Sequence, residues 1–214
     1  TAAAAFGIDY VWEAGQAPAI RPAFDTVRAA LEYDAKPIKD TECGRHTLDM
    51  ISVFVEKTGG LLPISLCDIQ SPLNVVCNMV DSTAIYLAMM DDPTAVTALL
   101  DRVAGLIVDF ATEQAALLGE RLVSPGHGFP SSYLFSSTGL SDDNIVMLSD
   151  EMYSDLAAPS FNRISAECGG AAFHSCGDWS GKIGTVKQLE GVFMVDGAFS
   201  PATDPTPNEP EPFG

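Results

Sequence analysis

The sequence predicts an α/β protein with a parallel sheet. Short apolar segments alternate with longer amphipathic ones, and 47% hydrophobic against 19% charged residues is typical of a globular protein. Strands that alternate with helices at this spacing indicate βαβ units, which form either a closed (β/α)8 barrel or an open doubly wound sheet. About four strands are visible in 214 residues, whereas a closed barrel typically needs about 250. A barrel would therefore be incomplete here.

We predict one domain, with an N-terminal arm of short helices over residues 1–44 and a partial barrel over 45–214. The arm is rich in Ala and Pro and weakly patterned. Apolar residues at helical spacing predict a helix over residues 45–57, before the stop signal Gly59-Gly60. The apolar segment LLPISLC (61–67) follows as a predicted buried strand.

A long helix over residues 92–119 is the most regular predicted element. Asp92 and Pro93 supply an N-cap and a first-turn proline, and apolar residues line one face as far as Gly119. The remaining predicted elements are a strand SSYLFS (131–136), a helix capped by Ser149 and ending near Cys168, a strand AAFHSC (171–176), a short helix (181–189) and a strand GVFMVDG (191–197).

Composition argues against several partners. Eleven basic and 29 acidic residues give a net charge of −18, which repels nucleic acid and anionic lipid surfaces. No apolar run is long enough to span a membrane, and the Ala-rich start lacks signal-peptide features, so we expect a cytoplasmic protein. The five scattered cysteines are expected to be free thiols. A start without Met and the Pro-rich end PATDPTPNEPEPFG suggest part of a longer protein.

His174 and Cys176 are candidate metal ligands. Residues i and i+2 of a strand point to the same side, and α/β proteins place their sites at the carboxyl ends of strands. Imidazole nitrogen and thiolate sulfur are both good zinc ligands. Two alternatives remain open from these residues alone. One is a core strand with a buried Cys and a hydrogen-bonded His, and the other is a Cys–His nucleophile pair, for which no orienting residue is evident.

Acidic and polar residues follow two other predicted strands. Asp142 and Asp143 come after the strand 131–136, where paired carboxylates could bind a cation, orient a ligand or transfer protons. The alternative is simple loop solvation before the next helix. Asp68 and Gln70 follow the strand 61–67 in the equivalent loop. Three successive strand ends thus deliver polar side chains to one mouth of the predicted fold.

The other two histidines are left out of the predicted site. His127 lies between glycines in SPGHGFP, which is typical of a flexible loop, and no phosphate-binding glycine motif occurs. His46 lies at a predicted helix start and is expected to be solvated.

Four segments in this order resemble the uroporphyrinogen decarboxylase superfamily. They are LLPISLCDIQSPLNVV, AMMDDPTAVTALLDRV, GLSDDNIVMLSDEMYSDLAAPSFNRIS and GGAAFHSCGDW. The superfamily includes cobalamin-dependent methyltransferases that act on thiols such as coenzyme M. The resemblance implies a (β/α)8 barrel with its site at the C-terminal mouth.

In the methyltransferase branch, a His-x-Cys pair and a later Cys hold a zinc ion that activates the acceptor thiol. His174 and Cys176 match the pair, but no cysteine follows Cys176. The third ligand could then be a Cys in a further C-terminal segment, or Cys67 or an acidic residue could take its place. The remaining alternative is that there is no zinc.

The resemblance implies zinc-dependent methyl transfer from a corrinoid to a thiol, with a small-molecule substrate and a corrinoid protein as a partner. Asp68, Asp142 and Asp143 are then the expected catalytic residues, and Gln70 and Asn78 the expected substrate-binding residues.

Two other functions are compatible with these residues. The first is decarboxylation of a tetrapyrrole, with Asp68 or Asp142 stabilising a protonated pyrrole-like intermediate. It fits less well, because Asn78 stands where the decarboxylases carry a tyrosine and this chain is poor in the arginines that would bind a polycarboxylate. The second is a non-catalytic module that binds a corrinoid or another small molecule.

Overall fold

A computed structural model of the protein describes residues 2–15 and 18–214. The α-helices in these ranges are α1 (Val27–Glu32), α2 (Glu42–Lys57), α3 (Pro72–Met79), α4 (Ser82–Asp91), α5 (Pro93–Leu118), α6 (Asp150–Met152), α7 (Ala158–Cys168) and α8 (Ile183–Val186). Short 3-10 helices cover Ala2–Phe6, Ile38–Asp40, Gly119–Arg121, Asp143–Met147, Ser180–Lys182 and Glu211–Phe213. The short helices of the N-terminal arm and the helix predicted over 45–57 are confirmed.

The sheet is parallel, as predicted. Its strands are β1 (Thr138–Ser141), β2 (Ala171–His174) and β3 (Val192–Asp196), in the order β1-β2-β3. A single parallel bridge from Gln70 to Ser141 places the segment after residue 67 beside β1. Because the strands run in one direction, the residues that follow them gather at the same edge of the sheet.

Helix α5 lies at the centre of the core. The side chain of Asp92 accepts a hydrogen bond from the Ala95 amide, Pro93 occupies the first turn, and the chain leaves the helix at Gly119 with a positive φ of 56°. Its apolar face is buried, and it packs against α3 and α7. The prediction from caps and periodicity is confirmed.

The helix predicted from Ser149 to Cys168 is confirmed, with a π-helical segment at Tyr153–Ala157 between α6 and α7. The Ser149 hydroxyl accepts a hydrogen bond from the Met152 amide. Pro159 has no N–H to donate, so a regular α-helical hydrogen-bond ladder cannot run through this region. Gly169 ends the helix in the left-handed conformation.

Two predicted strands are wrong. Residues 131–136 contain a turn at 133–134 and one isolated bridge from Ser132 to Ser124, the Leu134 side chain is 91% exposed, and the strand begins at Thr138 instead. In β1 the chain is closely approached at Gly139, where a Cβ would lie 2.6 Å from the Cβ of His127. Residues 61–67 are extended but make only an isolated bridge, from Ile64 to Leu122.

Helices α3 and α4 were not predicted, although their caps are visible in the sequence. Ser71 accepts a hydrogen bond from the Asn74 amide at the start of α3, and Asp81 accepts from the Thr83 and Ala84 amides at the start of α4. These are ordinary N-caps.

The strands and short helix predicted after residue 170 are confirmed, except that β2 ends at His174. All five cysteines are free thiols. Among the described residues, no helix combines the length and apolarity that a membrane span requires.

Candidate metal centre

Asp143, His174 and Cys176 come together at the carboxyl edge of the sheet. One ligand atom from each lies within 4.8 Å of the others. His174 is the last residue of β2, and Asp143 follows the end of β1 by two residues. The His174 Nε2 and the Cys176 Sγ are 3.4 Å apart. The predicted His-x-Cys pair therefore faces a carboxylate from the neighbouring loop.

Asp196 orients the His174 ring. It is the last residue of β3 and pairs with His174 in the sheet register, and its carboxylate contacts the ring Nδ1. The hydrogen bond to Asp196 raises the pKa of His174 above its ordinary value, against the opposing effect of burial. Because Nδ1 is engaged, Nε2 is the nitrogen that faces Cys176. Asp196 is not among the residues predicted from the sequence, where its only signal is its position at the end of a predicted strand.

The thiol of Cys176 is held near Asp143. The backbone N–H of Cys176 donates to Asp143 Oδ1 at 2.7 Å. Partial burial, followed by the Asp143 charge, raises the pKa of Cys176 to about 11. The thiol is therefore protonated at neutral pH unless a cation binds, and a bound metal ion would reverse this by favouring the thiolate.

A network of amides holds Asp143. Asn74 in α3, which the sequence analysis missed, donates from Nδ2 to Asp143 Oδ2 at 2.9 Å and to Gln70 Oε1 at 2.7 Å. Its Oδ1 accepts from the Asn144 amide at 2.9 Å. Asn74 is 1% exposed. Gln70 thus reaches the cluster through Asn74 rather than directly.

His127 lies beside the cluster, although the sequence analysis left it out. Its Nδ1 contacts the Asp68 carboxylate, and its Nε2 lies 3.1 Å from the Ser141 hydroxyl. Its ring centroid is 4.7 Å from that of His174. The hydrogen bond to His127 lowers the pKa of Asp68. His127 has a left-handed φ of 50°, which is uncommon for a residue with a side chain. The only signal of this conformation in the sequence is the glycine on each side of His127.

Asp142 does not share the environment of Asp143. It is 1% exposed, and the Tyr153 hydroxyl donates to its Oδ2 at 2.7 Å. Burial raises the pKa of Asp142 to about 7. The prediction of a carboxylate pair at the mouth and its alternative, loop solvation, are both wrong for Asp142, because its side chain is buried in the core.

Asn78 is not one of the three candidate ligands. It lines a cavity of about 440 Å³ together with Asp68 and Gln70. Its side-chain amide donates to the Asn74 carbonyl at 2.8 Å. A second cavity of about 440 Å³ opens beside His174 and Asp196.

Cys67 is not part of the candidate cluster in the described part of the chain. Its backbone N–H donates to Gln114 Oε1 at 2.9 Å, and burial raises the pKa of its thiol to about 11. Of the alternatives left open for a third ligand, the acidic residue Asp143 is the one whose carboxylate faces the His174–Cys176 pair.

Comparison with known proteins identifies the family. The model of the uroporphyrinogen decarboxylase (URO-D) family matches residues 1–122. A methyltransferase from Methanosarcina mazei has a similar structure, with a TM-score of 0.69 and 13% sequence identity over 89% of this chain and 52% of its own. This chain thus spans about half the length of that protein, and the likeness shows a shared fold. A search of curated proteins gave no significant match. The family match covers more than half of the sequence, and the chain belongs to the URO-D family.

Proposed function

We propose that this protein is a URO-D-family enzyme that transfers a methyl group from a corrinoid to a thiol bound at a zinc site. The observation that carries the proposal is the cluster of an imidazole nitrogen, a thiol sulfur and a carboxylate oxygen within 4.8 Å of one another. The structural neighbour described as a methyltransferase supports it. The proposal includes a (β/α)8 barrel of which this chain forms a part, as one domain.

The residues fit zinc by the chemistry of their donor atoms. Nitrogen, sulfur and oxygen donors from His174, Cys176 and Asp143 would provide three ligands, and a catalytic zinc site leaves its fourth position for water or substrate. The contact between Asp196 and His174 Nδ1 is the kind that orients histidine ligands in metal sites. A bound zinc ion would act as a Lewis acid that lowers the pKa of the substrate thiol.

The polar residues around the cluster have assigned roles in this proposal. Asp143 is a ligand, which Asn74 holds in place. Asp68 orients His127 next to His174, and Gln70 and Asn78 contact substrate from the adjoining cavity. Asp142 has a supporting role, because it ties the end of β1 to the π-helical segment Tyr153–Ala157 through the Tyr153 hydroxyl. The corrinoid, carried by a partner protein, approaches the open mouth.

Decarboxylation of a tetrapyrrole is the second candidate, because the family description names it and Asp68 faces a cavity. The charges oppose it. In the described part of the chain, neither cavity beside the cluster is lined by Lys or Arg. A polycarboxylate substrate would meet Asp68 and Asp196 in these cavities, with no Lys or Arg in their linings to pair with.

Transfer of the methyl group tests the proposal. Zinc-loaded protein is incubated with methylcobalamin and a panel of small thiols, and loss of the methyl group from cobalt is followed by absorbance. Wild type and Cys168→Ser are expected to demethylate the cofactor, because Cys168 ends α7 and is not in the cluster. Cys176→Ser is expected to be inactive. Activity in Cys176→Ser, or inactivity of the zinc-loaded wild type with every thiol, would count against methyl transfer.

Proton release supplies a second test. A thiol that binds zinc as the thiolate is expected to release about one proton near neutral pH. Calorimetry in buffers of different ionisation enthalpy measures this release. A decarboxylase would show no such release and would instead liberate carbon dioxide from a porphyrinogen.

A further inference from the structure

The segment that follows β3 folds back onto the loop that carries Cys176. Asn208, 4% exposed, makes three side-chain hydrogen bonds at this contact. Its Oδ1 accepts from the Trp179 amide at 2.8 Å, and its Nδ2 donates to the Gly177 carbonyl at 3.0 Å and the Ala198 carbonyl at 3.1 Å. One side chain therefore ties the loop after β2 to the loop after β3.

Asp204 binds the same loop one residue after Cys176. Its Oδ2 accepts from the Gly177 amide at 3.1 Å. Its Oδ1 accepts from the Thr206 amide at 2.8 Å and the Thr206 hydroxyl at 3.0 Å. Because its own turn fixes the carboxylate, Asp204 presents a preformed acceptor to Gly177.

Aromatic packing holds the far end of the loop. The Trp179 ring is 1% exposed and lies between the Phe173 ring of β2, at a centroid distance of 5.2 Å, and the Phe213 ring, at 4.7 Å. Phe213 in turn packs edge-on against Phe199, at 5.0 Å. The C-terminal residues thus complete the core beneath the loop.

These contacts fix the backbone on both sides of Cys176. Its own N–H is bound by Asp143, and the next N–H is bound by Asp204. With both peptide groups fixed, the Cα–Cβ bond of Cys176 has one direction, and from it Sγ lies 3.4 Å from His174 Nε2. We propose that Asp204 and Asn208 are positioning residues that hold Cys176 in place for metal binding. This inference rests on the zinc site of the proposed function.

A pair of substitutions at Asp204 separates its hydrogen bond from its charge. Asp204→Ala and Asp204→Asn both remove a negative charge, but Asn keeps one oxygen that can accept from the Gly177 amide, whereas its NH2 group cannot replace the oxygen that accepts from Thr206. Zinc affinity is measured by competition with a chromophoric chelator, and hydrogen exchange is measured across residues 175–180 in metal-free protein. Glu209→Ala removes a charge from the same segment. Among the described residues, Glu209 makes no hydrogen bond to the Cys176 loop.

Asp204→Ala is expected to bind zinc about 10-fold more weakly than wild type, within the range for residues that support metal ligands. It is also expected to exchange faster across residues 175–180, while Glu209→Ala stays close to wild type and Asp204→Asn, which keeps one of the two acceptor oxygens, lies closer to wild type than Asp204→Ala does. Asn208→Ala is expected to show both weaker zinc binding and faster exchange. If that variant does not fold, the comparison of Asp204→Ala with Asp204→Asn tests the inference. Equal zinc affinity and equal exchange in Asp204→Ala and Asp204→Asn would overturn the inference. A wild type that binds no zinc would instead reject the proposed function, and the exchange comparison would still decide whether Asp204 fixes the loop.

Discussion

Replacing Asp142 with asparagine should change how the stability of the protein depends on pH. The Asp142 carboxyl group is buried in the core, and burial raises its pKa from 3.8 to about 7. A carboxyl group whose pKa is higher in the folded than in the unfolded protein binds its proton more tightly when folded. Its contribution to stability is therefore complete below about pH 4 and is lost as the pH rises to about 7.

The two pKa values set the size of the effect. Their difference corresponds to about 4 kcal/mol of folding free energy, lost between about pH 4 and about pH 7. Asparagine has a similar shape, can accept the Tyr153 hydrogen bond and does not titrate. The unfolding free energy of wild type minus that of Asp142→Asn should therefore fall by about this amount as the pH rises.

Urea unfolding of metal-free wild type and Asp142→Asn, followed by tryptophan fluorescence at several pH values, measures this difference. Other titrating groups are common to both proteins and cancel. Asp155→Asn, which changes an exposed carboxylate in the neighbouring π-helical segment, serves as the matched control. A wild-type minus Asp142→Asn difference that stays constant within about 0.5 kcal/mol across this range would refute the reasoning.

Three further predictions concern neighbouring groups. Tyr153→Phe should lower the unfolding free energy by about 1–3 kcal/mol in urea titrations, because it leaves the buried Asp142 carboxylate without its hydroxyl donor. Asp196→Asn should weaken zinc binding by about 10–100-fold in chelator competition while changing the thermal midpoint little. The reason is that it replaces the carboxylate that contacts His174 Nδ1 with an amide, which is a weaker hydrogen-bond acceptor. The carboxylates of Asp68 and Asp196 flank the cluster and should favour a cationic thiol over an anionic thiol of equal length. Calorimetry on zinc-loaded protein should therefore show that cysteamine binds about 5-fold more tightly than mercaptoethanesulfonate, with a smaller ratio at high salt.

Each of these predictions has a result that would contradict it. Wild-type stability in Tyr153→Phe would mean that the hydroxyl contributes nothing in the core. Unchanged zinc affinity in Asp196→Asn would separate Asp196 from the metal site. Tighter binding of the sulfonate would mean that the carboxylates of Asp68 and Asp196 do not set the charge preference of the site.

Elements defined by local chemistry could be predicted from the sequence. The caps of α5 and the glycine that ends α7 act over a few residues, so the sequence near them is sufficient. The strand predicted at 131–136 failed because its apolar residues resemble a buried strand, whereas β1 needs small residues where the His127 loop packs closely. That requirement comes from the tertiary structure.

The candidate site also has one part that local sequence predicts and another part that depends on tertiary structure. His174 and Cys176 are two residues apart, so their pairing could be predicted from strand geometry. Asp196 reaches His174 only through the register of β2 and β3. The adjacent Asp142 and Asp143 have opposite environments, which no local pattern distinguishes, because the packing of Tyr153 decides which carboxylate is buried.

The ligand set of the zinc-loaded protein tests the central claim most directly. Metal analysis and X-ray absorption on wild type, without added thiol, measure the zinc content and the number of sulfur ligands. The account predicts about one zinc per chain, with a single sulfur at about 2.3 Å and nitrogen and oxygen ligands at about 2.0–2.2 Å. It also predicts loss of the sulfur signal in Cys176→Ser. A protein that takes up no zinc, or one whose zinc keeps its sulfur ligand in Cys176→Ser, would contradict the account.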